Sequence, residues 1–544
     1  MKIKKYLLAV ILVLAAALRL WNLGSIPPSL TPDEAALGYN AYSILKTGKD
    51  EHGVFLPFIF KSFGDYKPGF YIYLTVPSVA VMGLNEFAVR FPSALAGIAG
   101  VFLIYLIVKR LFSDEKLALT ASFIAAINPW SIFFSRGAWE VNVALAFTLA
   151  GIYFFFRALE KQKHLIFSAL FFALSLITYQ GAKLSTGIVV LILLILYWKD
   201  VFKFNRKTIL SGLVVGLIVS IPVILSFFQG GTGRLNVFSV FSYPRPVEYT
   251  QAFLDEGGEK IGDLNYYLFH SEGLNFARGI LGRFFNHFSP RFLFFEGDWG
   301  NPQHTSPYQG MLLLGDVVLL AAGAAALIRR RITREILFVW LWAGLSVLPS
   351  ILSRDQVHAV RALNLSVPLI IILAFGAVSL FSLKKFWKVV LGLIYLGGFV
   401  YYLDSYFVHL PKHDSEYWQY GYKQIVETVT PLQKNYKMIR VQQSFAQPYI
   451  YFLFYQKYDP AKYQKDSSYI SSEYKDDVGY ITKLDNVVFV PIDWSIDRGD
   501  HGDLVIGDPV RIPPEDSKDE NLFKIIREIK FLNGAGAFRV IEVK

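Results

Sequence analysis

Long apolar runs recur through the first 403 residues, with clusters of Lys and Arg at intervals among them. A helical run of roughly 18–20 apolar residues covers the hydrocarbon core of a bilayer. Basic residues between such runs mark the cytoplasmic loops. The clusters are Lys109, Arg110 and Lys116; Arg157, Lys161 and Lys163; Lys199, Lys203, Arg206 and Lys207; Arg329, Arg330, Arg331 and Arg334; and Lys384, Lys385 and Lys388. If each is cytoplasmic, the runs between them cross in pairs.

The first run, Tyr6 to Leu23, follows Lys2, Lys4 and Lys5, and no small-residue cleavage site comes after it. It reads as an uncleaved signal-anchor with a cytoplasmic N-terminus. Phe70 to Leu84 is apolar but short and carries Pro77; counting it as a crossing would invert every later loop. It is therefore expected as a juxtamembrane or re-entrant helix, with crossings at 91–108, 117–135, 138–157, 164–180, 184–198, 208–228, 309–328, 335–353, 360–382 and 387–403. Together with the first run that makes about eleven spans. Segments 24–90, 229–308 and 404–544 then face the outside.

Composition agrees: 53% of the residues are hydrophobic, 16% aromatic and only 18% charged, with mean hydropathy +0.39. That excludes a disordered or fibrous chain and argues against a soluble multidomain enzyme. Residues 1–403 carry 36 Lys and Arg against 22 Asp and Glu, a formal +14, and residues 404–544 carry −3, which leaves +11 for the chain. Spread over short loops, the positive charge sets topology and forms no nucleic-acid patch. No cysteine is present, so thiolate catalysis, disulfides and Cys-ligated metals are ruled out. Residues 404–544 alternate helix-like runs (416–429, 446–455, 521–529) with strand-like ones (437–441, 486–490, 538–543), as a soluble α/β domain would. The expected architecture is thus an α-helical polytopic membrane domain, 1–403, followed by an extracytoplasmic α/β domain, 404–544.

Chemistry is expected on the outer face. In SLTPDEAALGYNAYSILKTG, Thr31, Pro32 and Glu34 have the spacing of an N-cap, a first-turn proline and a capping-box acid. Glu34 reads equally as a cap or as a catalytic acid. Asp33, in the first turn of that helix, would stay ionised in the helix dipole and could take a proton from a hydroxyl. Lys61, Lys67 and Arg90 follow in the same segment, and Arg136, Arg354, His358 and Arg361 sit at outer span ends. Cations gathered at one membrane face suit an anionic headgroup such as a lipid-linked phosphate. Glu140 opens a span, where it either pairs with Arg136 one turn back or serves as a second acid. Asp316 lies inside an apolar run about a turn and a half from its start. His287, Asp298 and His304, in NHFSPRFLFFEGDWGNPQHT, are residue types able to ligate a divalent cation, although their spacing fits no metal signature. P-loop, GxGxxG, HExxH and GxSxG motifs are absent.

At PDE (Pro32–Glu34), YKPGFYIYL (Tyr66–Leu74), EFAVRFPSALAG (Glu86–Gly97), SRGAWE (Ser135–Glu140) and HAVRALNLSVPL (His358–Leu369) the chain resembles the GT-C glycosyltransferases that use lipid-phosphate-linked sugars. Within them it is most similar to the protein O-mannosyltransferase and aminoarabinose-transferase group. The resemblance covers roughly residues 1–400. It implies Asp33 as the base with Glu34 beside it, Lys67 as a phosphate ligand, and Glu140 as a second acid near acceptor or sugar. It places His358 and Arg361 in an outer-face motif; Arg354, from its place at an outer span end, reads as a further cation for the donor phosphate. Two departures stand out: Gly69 follows Lys67-Pro68 where relatives have a second proline, and Ala362 replaces an aromatic after Arg361.

The function implied is an inverting transfer of sugar from a polyprenyl-phosphate donor to a lipid, glycan or protein hydroxyl at the outer face of the cell membrane. No cofactor is required and a divalent cation is permitted; membrane lipid is a partner and nucleic acid is not. The alternative is a transporter or flippase of lipid-linked saccharides. It would need a polar path through spans that, Asp316 apart, carry few ionisable residues.

Overall fold

The computed structural model of the protein describes residues 2–63, 65–228, 239–444, 446–466, 469–470 and 480–544. The expected outer segments therefore lie outside the described residues at 64 and 229–238, and the tail at 445, 467–468 and 471–479.

The chain opens with helix α1 (Lys2–Leu20), then α2 (Pro32–Thr47), a hairpin of β1 (Ile59–Ser62) and β2 (Asp65–Pro68), and α3 (Phe70–Met82). There follow α4 (Glu86–Phe112), α5 (Glu115–Ile127), α6 (Pro129–Ser135), α7 (Glu140–Ala158), α8 (His164–Leu176), α9 (Ala182–Val201) and α10 (Arg206–Phe228). Among the described residues, seven helices are long and apolar enough to cross a bilayer: α4, α7, α9, α10 and those within Arg334–Ile351, Leu363–Leu380 and Lys385–His413. The pair α5–α6, bent by 57° at Asn128, makes an eighth when taken as one span. The other three expected crossings are helical but shorter, at Tyr6–Leu20, His164–Leu176 and Asp316–Ile328. At 13 residues α3 is about 20 Å long, too short to cross upright.

The α5–α6 bend is held by one buried cation. Pro129 has no N–H to continue the α5 ladder, so the first helix ends there, and Asn128 caps the second by accepting from Ser131 N. The fully buried Arg19 of α1 donates to the carbonyls of Ala125 and Ala126 that the break leaves open, and to Ser131 and Ser135. Elsewhere small residues set the spacing. A Cβ on Gly323 would strike the Ile372 carbonyl, and one on Gly376 the Leu319 carbonyl, so these two helices cross at backbone contact. Asp316 differs from expectation. Its helix starts at Asp316 itself, because the side chain accepts from Leu313 N and closes the preceding turn.

The tail carries a six-stranded mixed sheet. In chain order its strands are β3 (Ile439–Gln442), β6 (Lys483–Leu484), β7 (Val487–Val490), β8 (Leu504–Gly507), β9 (Phe523–Lys530) and β10 (Gly536–Val543), with β4 (Tyr469–Ile470) and β5 (Tyr480–Ile481) forming a separate pair. The order across the sheet is β6-β7-β3-β8-β10-β9; β3 runs parallel to β7 and β8, and β10 antiparallel to β8 and β9. Residues 521–529 read as helix from their apolar spacing, but from Phe523 onward the chain forms the edge strand β9. Its long ladder to β10 outweighs the local helical pattern.

This sheet does not stand apart. Helix Pro448–Tyr455 packs on α2, and Gly38 is wedged against Phe454 and Val89. One hydrophobic core joins Tyr39 and Ile44 of α2, Tyr71 of α3, and Phe452, Val441 and Phe489 of the tail. Polar links cross the same seam: Tyr451 Oη to Leu30 O (3.1 Å), Tyr39 Oη to Tyr458 O (3.2 Å), and Lys423 to Glu86 (2.7 Å).

Candidate active site

The site is built on the start of α2. Thr31 Oγ1 accepts from Glu34 N while Glu34 Oε2 accepts from Thr31 N, so the capping box read from the sequence is formed. Pro32 fills the first turn and Gly48, at φ 71°, ends the helix in the left-handed region.

Glu34 also does what a cap need not. It is 4% exposed and accepts from Arg90 Nε (2.9 Å), Arg90 Nη2 (3.1 Å) and Ala138 N (2.8 Å). Arg90, fully buried, turns its remaining donors to the carbonyls of Leu23, Pro27 and Ser29. Both carboxylate oxygens of Glu34 are thus saturated, which suits holding α2, α4 and the turn before α7 together. It leaves no lone pair directed at a substrate.

Asp33, one residue earlier, points the other way. Its side chain is 65% exposed and Oδ1 lies 2.5 Å from Lys67 Nζ, whose side chain is only 16% exposed. The hairpin sets Lys67 by pairing it with Phe60. The base and the phosphate cation expected from sequence therefore form one ion pair, with the carboxylate on the open side.

Ala138, bonded to Glu34, leads through Trp139 to Glu140 at the first position of α7. Arg136 is buried, donates to Leu18 O and Ile26 O, and lies over Tyr406 and Phe407. Trp139 meets the His304 ring edge-on at 5.5 Å, and His304 lies 4.9 Å from the His358 ring. Asp298, His304 and His358 bring one ligand atom each within 4.8 Å of the others. Asp298 Oδ2 bonds His304 Nδ1 (2.9 Å) and accepts from Ala359 N (2.7 Å). Burial, with Arg361, His304 and His287 nearby, holds the His358 imidazole well below its usual pKa, in the neutral form that binds metals.

His287 does not join this group. Its Nδ1 bonds Arg283 O and its Nε2 faces Ser350 Oγ and His358 N, so both nitrogens are engaged in holding the loop. Arg361 pairs with Asp355 at 2.6 Å, and Arg354 bonds Tyr243 Oη in a separate cavity.

Three features escaped the sequence reading. The Glu34–Arg90 pair spans 56 positions. Glu51, which no local pattern singles out, is fully buried against Asn40, and burial pushes its carboxyl up to about 8. The tail reaches the site loops through Gln303 Nε2 on Tyr417 O and through Trp418, 6.5 Å from Trp139.

Across 98% of this chain and 97% of the other, the structure superposes on ArnT from Cupriavidus metallidurans, solved with undecaprenyl phosphate bound, with a TM-score of 0.57 at 12% identity. The chain has the GT-C glycosyltransferase fold. An oligosaccharyltransferase from Archaeoglobus fulgidus shares the GT-C fold at a TM-score of 0.50 and 10% identity, over 83% of this chain and 63% of that one. Residues 67–225 match the family model described as dolichyl-phosphate-mannose-protein mannosyltransferase. Over 150 residues the chain is 29% identical to the putative mannosyltransferase YkcB of Bacillus subtilis (strain 168); that match takes in 28% of this chain and spans 20% of YkcB. The GT-C resemblance carried by the sequence motifs and the fold agree, and the family match begins at Lys67.

Proposed function

We propose that the chain is an inverting glycosyltransferase with about eleven spans and a cytoplasmic N-terminus, working at the outer membrane face beneath its C-terminal sheet. The donor is a polyprenyl-phosphate sugar, of the lipid class bound in the ArnT structure, and the acceptor is a hydroxyl of a lipid, glycan or protein. The observation carrying this reading is the Asp33–Lys67 pair at the start of α2.

Lys67 is held by Asp33 until a lipid phosphate competes for it. Once the ammonium turns to the phosphate, Asp33 is left as an ionised carboxylate beside the sugar. It accepts the acceptor's proton as that oxygen bonds the anomeric carbon. The bond from that carbon to the phosphate oxygen breaks on the opposite face, which inverts the configuration, and Lys67 stabilises the departing phosphate monoester. Glu140 is assigned to the acceptor or sugar side, His358 and Arg361 to the donor side. Glu34 is a positioning residue. A divalent cation, where bound, fits Asp298, His304 and His358, whose neutral imidazole and carboxylate suit it; it would supply charge neutralisation next to the site.

The test is transfer from labelled polyprenyl-phosphate sugar by purified protein, with donor binding measured in parallel. Asp33→Asn should bind donor but transfer about 10²–10⁴-fold more slowly. Lys67→Met should bind the lipid phosphate more weakly. Near-normal transfer by Asp33→Asn would remove the base assignment, and unchanged donor binding by Lys67→Met the phosphate assignment.

A further inference from the structure

A second polar cavity of about 550 Å³ lies between helix Glu272–His287 and the Arg354–Gln356 segment, in the size range of small-molecule sites. Its lining has an unusual make-up for a loop crevice. Arg283 and Arg354 supply two guanidinium groups, Asn275 and Gln356 two amides, and Tyr243 and Phe276 two rings. Arg354 donates to Tyr243 Oη at 2.9 Å, with the guanidinium 5.7 Å from that ring's centre.

Arg283 is the informative residue. It is half-buried, and Nε and Nη2 are bonded only to the backbone carbonyls of Asp355 and Arg354 (3.2 and 3.0 Å). Among the described residues no carboxylate lies within ion-pair distance of it. The one acid in the lining, Asp355, pairs with Arg361. Nη1 sits beside Gly279, where a Cβ would come within 2.9 Å of it. A glycine here therefore keeps space open in front of a partly desolvated cation whose one nearby carboxylate, Asp355, is shared with Arg361. Such a group is costly unless an anion completes it.

We propose that this cavity binds an anionic saccharide: Arg283 and Arg354 take its phosphate or carboxylate, the Asn275 and Gln356 amides its hydroxyls, and the Phe276 and Tyr243 rings its apolar face. Calling this ligand the headgroup of the acceptor rests on the glycosyltransferase reading; the binding itself does not. The segment that lines the cavity at Arg354–Gln356 continues two residues later to His358, which faces His304, and His304 in turn meets Trp139 just before α7. One short stretch of backbone thus connects this cavity to the candidate active site.

The experiment is calorimetric titration of the full chain in lipid nanodiscs with a hexose 6-phosphate, glucuronate, glucose and inorganic phosphate. The two anionic sugars should bind and glucose should not. Arg354→Gln, at the exposed rim, and Arg283→Gln should each weaken binding about tenfold to a hundredfold, the usual worth of a charge-assisted hydrogen bond. Lys67→Met should leave it unchanged, because the donor site is elsewhere. In the transfer assay, Arg354→Gln should raise the acceptor KM and leave the donor KM alone.

The proposal is overturned by anionic sugars that bind neither protein nor variants, by binding that survives both arginine substitutions, or by binding abolished by Lys67→Met. Inorganic phosphate binding as tightly as hexose phosphate would reduce the cavity to a bare anion site and also overturn it. Anionic-sugar binding that depends on Arg283 and Arg354 without any transfer activity would sink the functional reading while leaving this one standing.

Discussion

Glu34→Gln separates a base from a brace. Glutamine keeps one oxygen for Thr31 N or Ala138 N, so as a helix cap it is nearly neutral. What it cannot do is answer Arg90, which is fully buried and donates two hydrogen bonds to this one carboxylate, at 2.9 and 3.1 Å. Removing one partner of a buried, hydrogen-bonded ion pair costs about 3–5 kcal/mol, because the other charge stays in place unpaired. That is a large share of the roughly 5–15 kcal/mol a folded domain has. The amide also turns a donor toward guanidinium donors. Thermal unfolding of the protein in nanodiscs should therefore show a marked loss of stability, and Arg90→Met should cost a similar amount. The double variant should cost little more than either single one, since the two losses are the same interaction counted twice. Transfer should fall only in proportion to the folded fraction. A Glu34→Gln protein with normal thermal stability and transfer reduced about 10²–10⁴-fold would refute the brace and make Glu34 a base.

Glu51 gives a pH prediction. Its folded pKa of about 8 lies above its ordinary value of 4.5, so between those values the folded state holds a proton that the unfolded chain has released. Stability therefore falls as pH rises through that window and levels off above about 8. Glu51→Gln keeps the Asn40 contact and removes the titration, so its stability advantage should grow from about pH 5 to about pH 9; a constant difference would refute it. Ending the chain at 403 should leave a poorly folded, protease-sensitive membrane part, because Tyr39, Ile44 and Tyr71 share their core with the tail. Full retention of donor binding and protease resistance in that truncation would show the shared core to be dispensable.

Local features were readable from the sequence wherever neighbouring residues decide them. Thr31, Pro32 and Glu34 cap α2 as their spacing requires, the apolar runs became helices, and Pro77 falls in a helix too short to cross. Helix caps and apolar lengths act over a few turns, so a linear reading captures them. Asp33 and Lys67 could be singled out separately, but their contact depends on a hairpin folding 34 positions back. Contacts between distant positions were decided only in the tertiary structure. Glu34 acquired Arg90 and became a brace; His287 was withdrawn from Asp298 and His304 by Ser350 and Arg283, and His358 took its place. Residues 523–530 left their helical pattern for the sheet edge because β10 offered a ladder along their length. The tail, which as a sequence reads as a separate soluble domain, fills the apolar face of α2. Burial of apolar surface and the pairing of buried charges depend on which groups meet in space, and no local pattern of residues records that.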